Sequence, residues 1–265
     1  MGNKHITELN NVRQWMTDMH QNCPRDFVDA RNDIAELRHK LISEEYKEWQ
    51  AAAPMSNALL DALCDLLYVT YGSFAHLGLA FDESLTYTKL SLTGKKIAID
   101  HYVAMALSAL TKRPLCRLSI EPGLTKLILA IYQAGEANGF DLSAAFDIVH
   151  KSNYTKFWTK EEVKAMNISP ALTSYKPTLG KFVVFNAYGK VTKPPSFSPP
   201  NLQPIVIAAL RQFERGSAPA PIPAASTKTA DQAAGPAVKP PAPPPRPVAA
   251  KQSRSKTAPP LPAGG

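Results

Sequence analysis

Between residues 41 and 49 the chain reads Leu-Ile-Ser-Glu-Glu-Tyr-Lys-Glu-Trp, and its three carboxylates stand where an amphipathic helix should be burying leucines. Upstream, Phe27, Ala30, Ile34, Leu37 and Leu41 recur at spacings of three and four, the mark of an apolar helical stripe. Continued, that stripe reaches Glu44, Glu45 and Glu48. Glu44 and Glu48 lie one turn apart and repel each other, and an apolar seam turned acidic is costly unless a cation compensates it. A second helical segment, 59–77, carries Asp61 and Asp65 at the same i,i+4 spacing among Leu59, Leu60, Leu63, Leu66, Leu67 and Val69. Two helices that each present acids inward describe a hard-cation site. Magnesium suits it best, because it takes oxygen ligands and keeps waters for phosphate substrates; manganese is the alternative. Glu-Glu-x-x-Glu alone also marks many solvated helices, where it is only a charged face. Here the acids continue the hydrophobic stripe, and the partner helix has its own inward pair.

Three further stretches join this one. Asp61-Ala-Leu-Cys-Asp65-Leu-Leu-Tyr68-Val-x-Tyr71-Gly72 follows the acidic helix. Phe146-Asp-x-Val149-His150-Lys-Ser152-Asn153-Tyr-Thr-Lys156 lies well downstream, and Tyr188-Gly-Lys190-Val-x-Lys193-Pro-Pro-x-Phe197-x-Pro-Pro-x-Leu202 closes the series. The ordered set resembles the MazG-like all-α nucleoside triphosphate pyrophosphatases, and more narrowly their phosphoribosyl-ATP pyrophosphohydrolase-like branch of bacteriophage type. The resemblance spans most of residues 10–205. It implies hydrolysis of a nucleotide between its α and β phosphates, with Mg2+ on the acidic helices and usually a homo-oligomer built through them. By motif, Glu44, Glu45, Glu48 and Asp65 would be metal ligands. Asn153 and Lys156 would contact phosphates, assisted by Lys190 or Lys193.

The chain departs from that pattern. The second motif is usually Glu-x-x-Asp, yet Ala62 stands three before Asp65, and Ala58 three before Asp61. Asp61 can take the place of the missing Glu one helical position away, which leaves the number of bound metals open. Residues 94–122 read as an insertion between the acidic helix and the Ser-Asn-x-x-Lys helix.

From Gly216 onward, 13 of the chain's 24 prolines fall within 50 residues that hold no aromatic side chain. Such a segment cannot bury enough apolar surface to offset its ordering entropy, and it reads as a disordered Pro/Ala-rich tail. Its six Lys/Arg against one Asp supply +5 of the total +8, so the basicity belongs mostly to the tail. Those cations give weak, salt-sensitive attraction to polyanions. Cys23, Cys64 and Cys116 are odd in number and widely spaced, which points to free thiols in a reducing cytoplasm, the host's if the gene is phage-encoded. No apolar signal segment opens the chain, and no run reaches the ~18 residues that span a membrane.

The elements that must position the acids are mostly helical. Residues 5–21 form a first helix, Arg25-Asp26 opens the long acidic one, and Ser56 or Asn57 caps the next, which runs to Gly78. A short helix follows Asp82. Residues 99–110 and 124–137 form two more, and Asp141 or Ser143 starts the helix that bears His150 to Lys156. Residues 181–185 and 190–192 read as a small β-hairpin, and a last helix covers 205–213. The fold expected is an all-α antiparallel bundle over 1–175, a hairpin and proline-rich extension over 176–215, and a tail over 216–265. Glu36-x-x-His39 and Asp147-x-x-His150 match a di-iron spacing, but His39 sits off the buried stripe and pairs more simply with Glu36 at the surface. The rival functions are a helical interaction module whose acidic helix binds a basic partner, and hydrolysis of phosphoribosyl-ATP itself.

Overall fold

The computed structural model of the protein describes residues 2–27, 32–81, 97–187 and 191–216, all within a compact unit, Met1–Ser226. The helices among the described residues are α1 (Gly2–Asp18), α2 (Asn32–Ala51), α3 (Asn57–Leu77), α4 (Ile97–Thr111), α5 (Arg117–Ala137), α6 (Leu142–Tyr154), α7 (Lys160–Ala165) and α8 (Gln203–Glu214). A 3-10 turn, Pro170–Leu172, leads into β1 (Thr173–Lys176), which pairs antiparallel with β2 (Lys181–Val184). The architecture is the expected all-α one with a small hairpin near its C-terminal side.

α3 is the axis of the bundle. Ser56 caps it, its side chain accepting from the Leu59 amide at 3.0 Å, and Gly78 closes it in the left-handed conformation at φ 65°. From Leu59 to Leu77 every residue is buried except Asp61, Asp65 and Val69. Those three fall at i, i+4 and i+8, so the helix has one partly open line, and two of its three residues are acids. By length and composition α3 could cross a membrane, contrary to the expectation that no run is long enough, but 78% of its apolar window is buried inside the fold. It is a core helix. α1, α2, α5 and α6 pack around it, and α4 packs on α2 and α5.

Two carboxylates and one guanidinium inside the bundle show how it handles charge. Glu8 is buried, and burial pushes its carboxyl up. Hydrogen bonds from His5, Tyr132 and Tyr71 outweigh that and hold it below the ordinary value. Asp18 is buried too, and takes Lys176 at 3.2 Å and the Tyr154 hydroxyl at 3.2 Å, tying α1 to β1 and α6. Arg38 of α2 is 5% exposed and donates to His76 Nδ1 from Nε (3.1 Å) and Nη2 (2.6 Å). It fits because Gly72 lacks a side chain: a Cβ there would stand 2.7 Å from Arg38 Nη1.

Arg38 also corrects the expected phase of the acidic helix. The buried positions of α2 are Ile34, Ala35, Arg38, Ile42 and Trp49, while Leu37 is 41% exposed. The buried stripe therefore runs through Glu45, and Glu44 and Glu48 are exposed rather than inward. α2 also does not open at Arg25-Asp26. The backbone there is held against α3's end, where a Cβ on Gly78 would lie 2.0 Å from the Asp26 carbonyl oxygen. Phe27 thus precedes the helix.

Other boundaries shift for local reasons. α1 ends at Asp18, before His20 turns to φ 59°. α5 begins at Arg117 rather than Leu124, with Pro122 inside its second turn. α6 ends at Tyr154, so Lys156 lies just past the helix. The expected first strand, 181–185, is present as β2, but its ladder partner is β1 rather than 190–192. β2 pairs with β1 through the turn at 177–180, where Gly180 takes φ 62°, and Val191 meets Phe185 only as an isolated bridge. The short helix expected after Asp82, Lys190, the first residues of the expected insertion and the tail beyond 216 lie outside the described residues.

Candidate functional site

The open line of α3 faces α2's Glu45 side, and the charges there act on one another. Burial first, then Asp65, Glu48, Glu44 and Asp61, push the Glu45 carboxyl up to about 7. Burial and Asp61 push Asp65 up to about 6, with Glu48 adding to the effect and Lys156 and Lys193 opposing it. Asp61 is raised by burial and Glu48, again opposed by Lys193 and Lys156. The five predicted acids thus occupy one electrostatic neighbourhood that also contains two of the predicted lysines. Unlike Glu8, Glu45, Asp61 and Asp65 have no hydrogen bond that offsets their burial, and the neighbouring carboxylates add to it. Glu44 sits at the rim, 3.9 Å from Lys40.

The cationic side comes from two distant parts of the chain. Asp141 caps α6 through the Ala144 amide, and the helix delivers Asn153, which is 7% exposed, near its end. Lys156 follows the Thr155 cap. Lys193 rides on an extended segment pinned to α6, where the Ser198 carbonyl oxygen accepts from Ser152 Oγ at 2.7 Å and its amide donates to Thr155 Oγ1 at 3.0 Å. Glu162, at the start of α7, accepts from the Ser196 amide at 3.0 Å and fixes the same segment.

Two residues of this region escaped the sequence reading. Tyr68 of α3 places its hydroxyl 3.1 Å from His150 Nδ1 and meets Trp15 edge to face, with ring centroids 5.5 Å apart. Its i+3 spacing from Asp65 was a usable signal. Trp15 of α1 donates Nε1–H to the Asn153 carbonyl at 3.1 Å, and nothing local in the sequence marks it. His150 stacks on Phe146 with an interplanar angle of 3°, and burial holds its pKa below the ordinary value. Its contacts are thus to Phe146 and Tyr68 rather than to a metal-ligand set.

Among the described residues, no three His, Cys, Asp or Glu side chains converge into a metal-holding cluster. The donor chemistry nevertheless fits a hard divalent cation: the candidates are all carboxylates, and their mutual repulsion would be relieved by one. Magnesium rarely takes an all-protein cage; one or two carboxylates and the substrate's phosphates suffice. The di-iron spacing is another matter. Glu36 pairs with Arg113 at 3.7 Å rather than with His39, and all three line a shallow cavity of about 260 Å³ beside Leu110 and Thr111.

Residues 9–88 match the family model for phosphoribosyl-ATP pyrophosphohydrolase, within the MazG-like all-α nucleoside triphosphate pyrophosphatase superfamily. Over 216 residues the chain is 27% identical to the uncharacterized protein L479 of Acanthamoeba polyphaga mimivirus, an alignment that covers 68% of this chain and 86% of that protein. No solved structure matches the chain. The family match takes in α2 and α3 with all five acids, stops short of Asn153, Lys156 and Lys193, and suggests a nucleotide pyrophosphohydrolase-like activity.

Proposed function

We propose that the protein is a magnesium-dependent nucleotide pyrophosphohydrolase of the bacteriophage-type branch. It would convert a nucleoside or deoxynucleoside triphosphate, or a related nucleotide, plus water into the monophosphate and pyrophosphate. The observation that carries this reading is the crowding of Glu44, Glu45, Glu48, Asp61 and Asp65 into one neighbourhood shared with Lys156 and Lys193. Carboxylates gathered at such cost point to a cation, and lysines beside them point to phosphate.

Glu44, Glu48, Asp61 and Asp65 would hold Mg2+, or Mn2+ in its place. When bound, the ion polarises phosphoryl oxygens and offsets their charge. The chain's own residues do the remainder. Glu45 lies on the buried side of α2, apart from the more exposed Glu44 and Glu48, and would be the general base that takes the proton of the attacking water. Lys156 and Lys193, with Lys190 as a further candidate, neutralise the charge that accumulates on the pyrophosphate leaving group. Asn153 supplies a neutral donor beside them.

The family match also raises phosphoribosyl-ATP as a substrate. A non-catalytic module with an acidic helix is the weaker reading, since that match lies on the acid-bearing helices themselves. We further propose a homo-oligomer, a cytoplasmic location suited to the free thiols Cys23, Cys64 and Cys116, and weak polyanion binding by the tail. Magnesium should raise the thermal unfolding midpoint by mass action. Glu48→Gln should weaken that response at least tenfold in magnesium concentration and lower turnover with it. Unchanged activity of Glu48→Gln in limiting magnesium would remove Glu48 from the ligand set.

A further inference from the structure

Asn153 stands at the end of α6 and Lys156 just beyond it, on a flexible four-carbon stem. A helix terminus frays unless something outside it holds on. Here Trp15 of α1 does so, backed by Tyr68 of α3. The Trp15 indole, on α1, donates to the Asn153 carbonyl at 3.1 Å, and Lys156 Nζ stands 5.7 Å from the centroid of the same ring. Tyr68, on α3, braces that indole by meeting it edge to face, with centroids 5.5 Å apart. Packing alone would not require this arrangement: a Phe at 15 would fill the space without a donor aimed at α6.

We propose that Trp15 is a positioning residue for anion binding: with Tyr68, it fixes the Asn153 backbone and steers the Lys156 ammonium toward the acids on α3. The inference rests on the reading of Asn153 and Lys156 as phosphate contacts. Neither aromatic side chain is required to touch the nucleotide. Their work is to keep the donor and the cation in one place before the phosphates arrive, so that less freedom is lost on binding.

The test uses full-length protein, magnesium pyrophosphate as probe, and calorimetry of wild type, Trp15→Phe, Lys156→Ala and the double variant. Trp15→Phe keeps an aromatic ring but loses the N–H and part of the cation–π attraction. Pyrophosphate affinity should fall about tenfold. KM for the best nucleotide should rise by a similar factor, while magnesium affinity in the absence of pyrophosphate stays within twofold. In the Lys156→Ala background the same change should cost no more than about threefold, because the residue it steers is gone. Equal affinity of wild type and Trp15→Phe overturns the inference and leaves the proposed function standing. So does an undiminished loss in the Lys156→Ala background, which would mark a packing role. A wild type that binds no pyrophosphate overturns both. Should Trp15→Phe not fold, Tyr68→Leu, which removes the ring that braces Trp15, provides the second arm: an affinity loss with magnesium binding intact supports the account, and wild-type affinity refutes it.

Discussion

Asp65→Asn keeps the shape of the side chain and removes its charge, and without metal it should make the protein more stable. The Asp65 carboxyl is raised from 3.8 to about 6, by burial and by Asp61. An acid whose folded pKa lies above its unfolded value binds more protons when folded. Stability is therefore fully present below the unfolded pKa of 3.8, declines as pH rises, and is lost by the folded pKa near 6. The difference of about two pKa units corresponds to ~3 kcal/mol above pH 7. Glu45 adds to the slope between pH 4.5 and 7, although its more open carboxylate discounts its share. In chelator at pH 8, urea unfolding should show Asp65→Asn more stable than wild type by roughly 2–3 kcal/mol with an unchanged m-value. At pH 4 and below the gain should vanish. Saturating magnesium should reverse the order, because only the wild type keeps the ligand. An Asp65→Asn variant that is equally or less stable at pH 8 without metal would refute the reasoning, since the Asp65 carboxylate would then be compensated rather than penalised by burial and Asp61.

Two further predictions concern the surroundings of the site. Gly72→Ala places a Cβ 2.7 Å from Arg38 Nη1 in a buried spot, and should destabilise by about 1–3 kcal/mol in thermal unfolding. Adding Arg38→Met should recover part of that loss, and a harmless Gly72→Ala would contradict the buried guanidinium. A chain ending at Arg215 should keep kcat/KM within tenfold, or ~1.4 kcal/mol, of the full-length value, whereas one ending at residue 190 loses Lys193 and the Ser198 contacts to α6 and should fall well beyond that.

Asp61 and Asp65 were legible as an open line because they interrupt the apolar run of α3, whereas Glu44 and Glu48 stood out only against a stripe read out of phase. α3 was legible end to end, since Ser56 and Gly78 are local signals and the leucines between them admit one reading. α2 was legible as a helix but out of phase. Leu37 is the natural stripe residue and Arg38 the natural surface one, and the order is inverted because Gly72, on another helix, opens room for a guanidinium that His76 accepts. No local rule contains that information. The hairpin shows a different failure: Pro177 and Gly180 announce a turn, but short polar β1 lacks strand character of its own and pairs only because β2 and Asp18 hold it. The link between α1 and α6 through Trp15 spans 138 positions, beyond the reach of any spacing argument.

The most direct measurement is product identification after incubating the purified full-length protein with a panel of nucleotides, with and without magnesium. The account predicts magnesium-dependent release of pyrophosphate and the nucleoside monophosphate in equal amounts from at least one of them, abolished by Asp65→Asn. Release of orthophosphate with a nucleoside diphosphate, or turnover that survives chelator and Asp65→Asn alike, would contradict it.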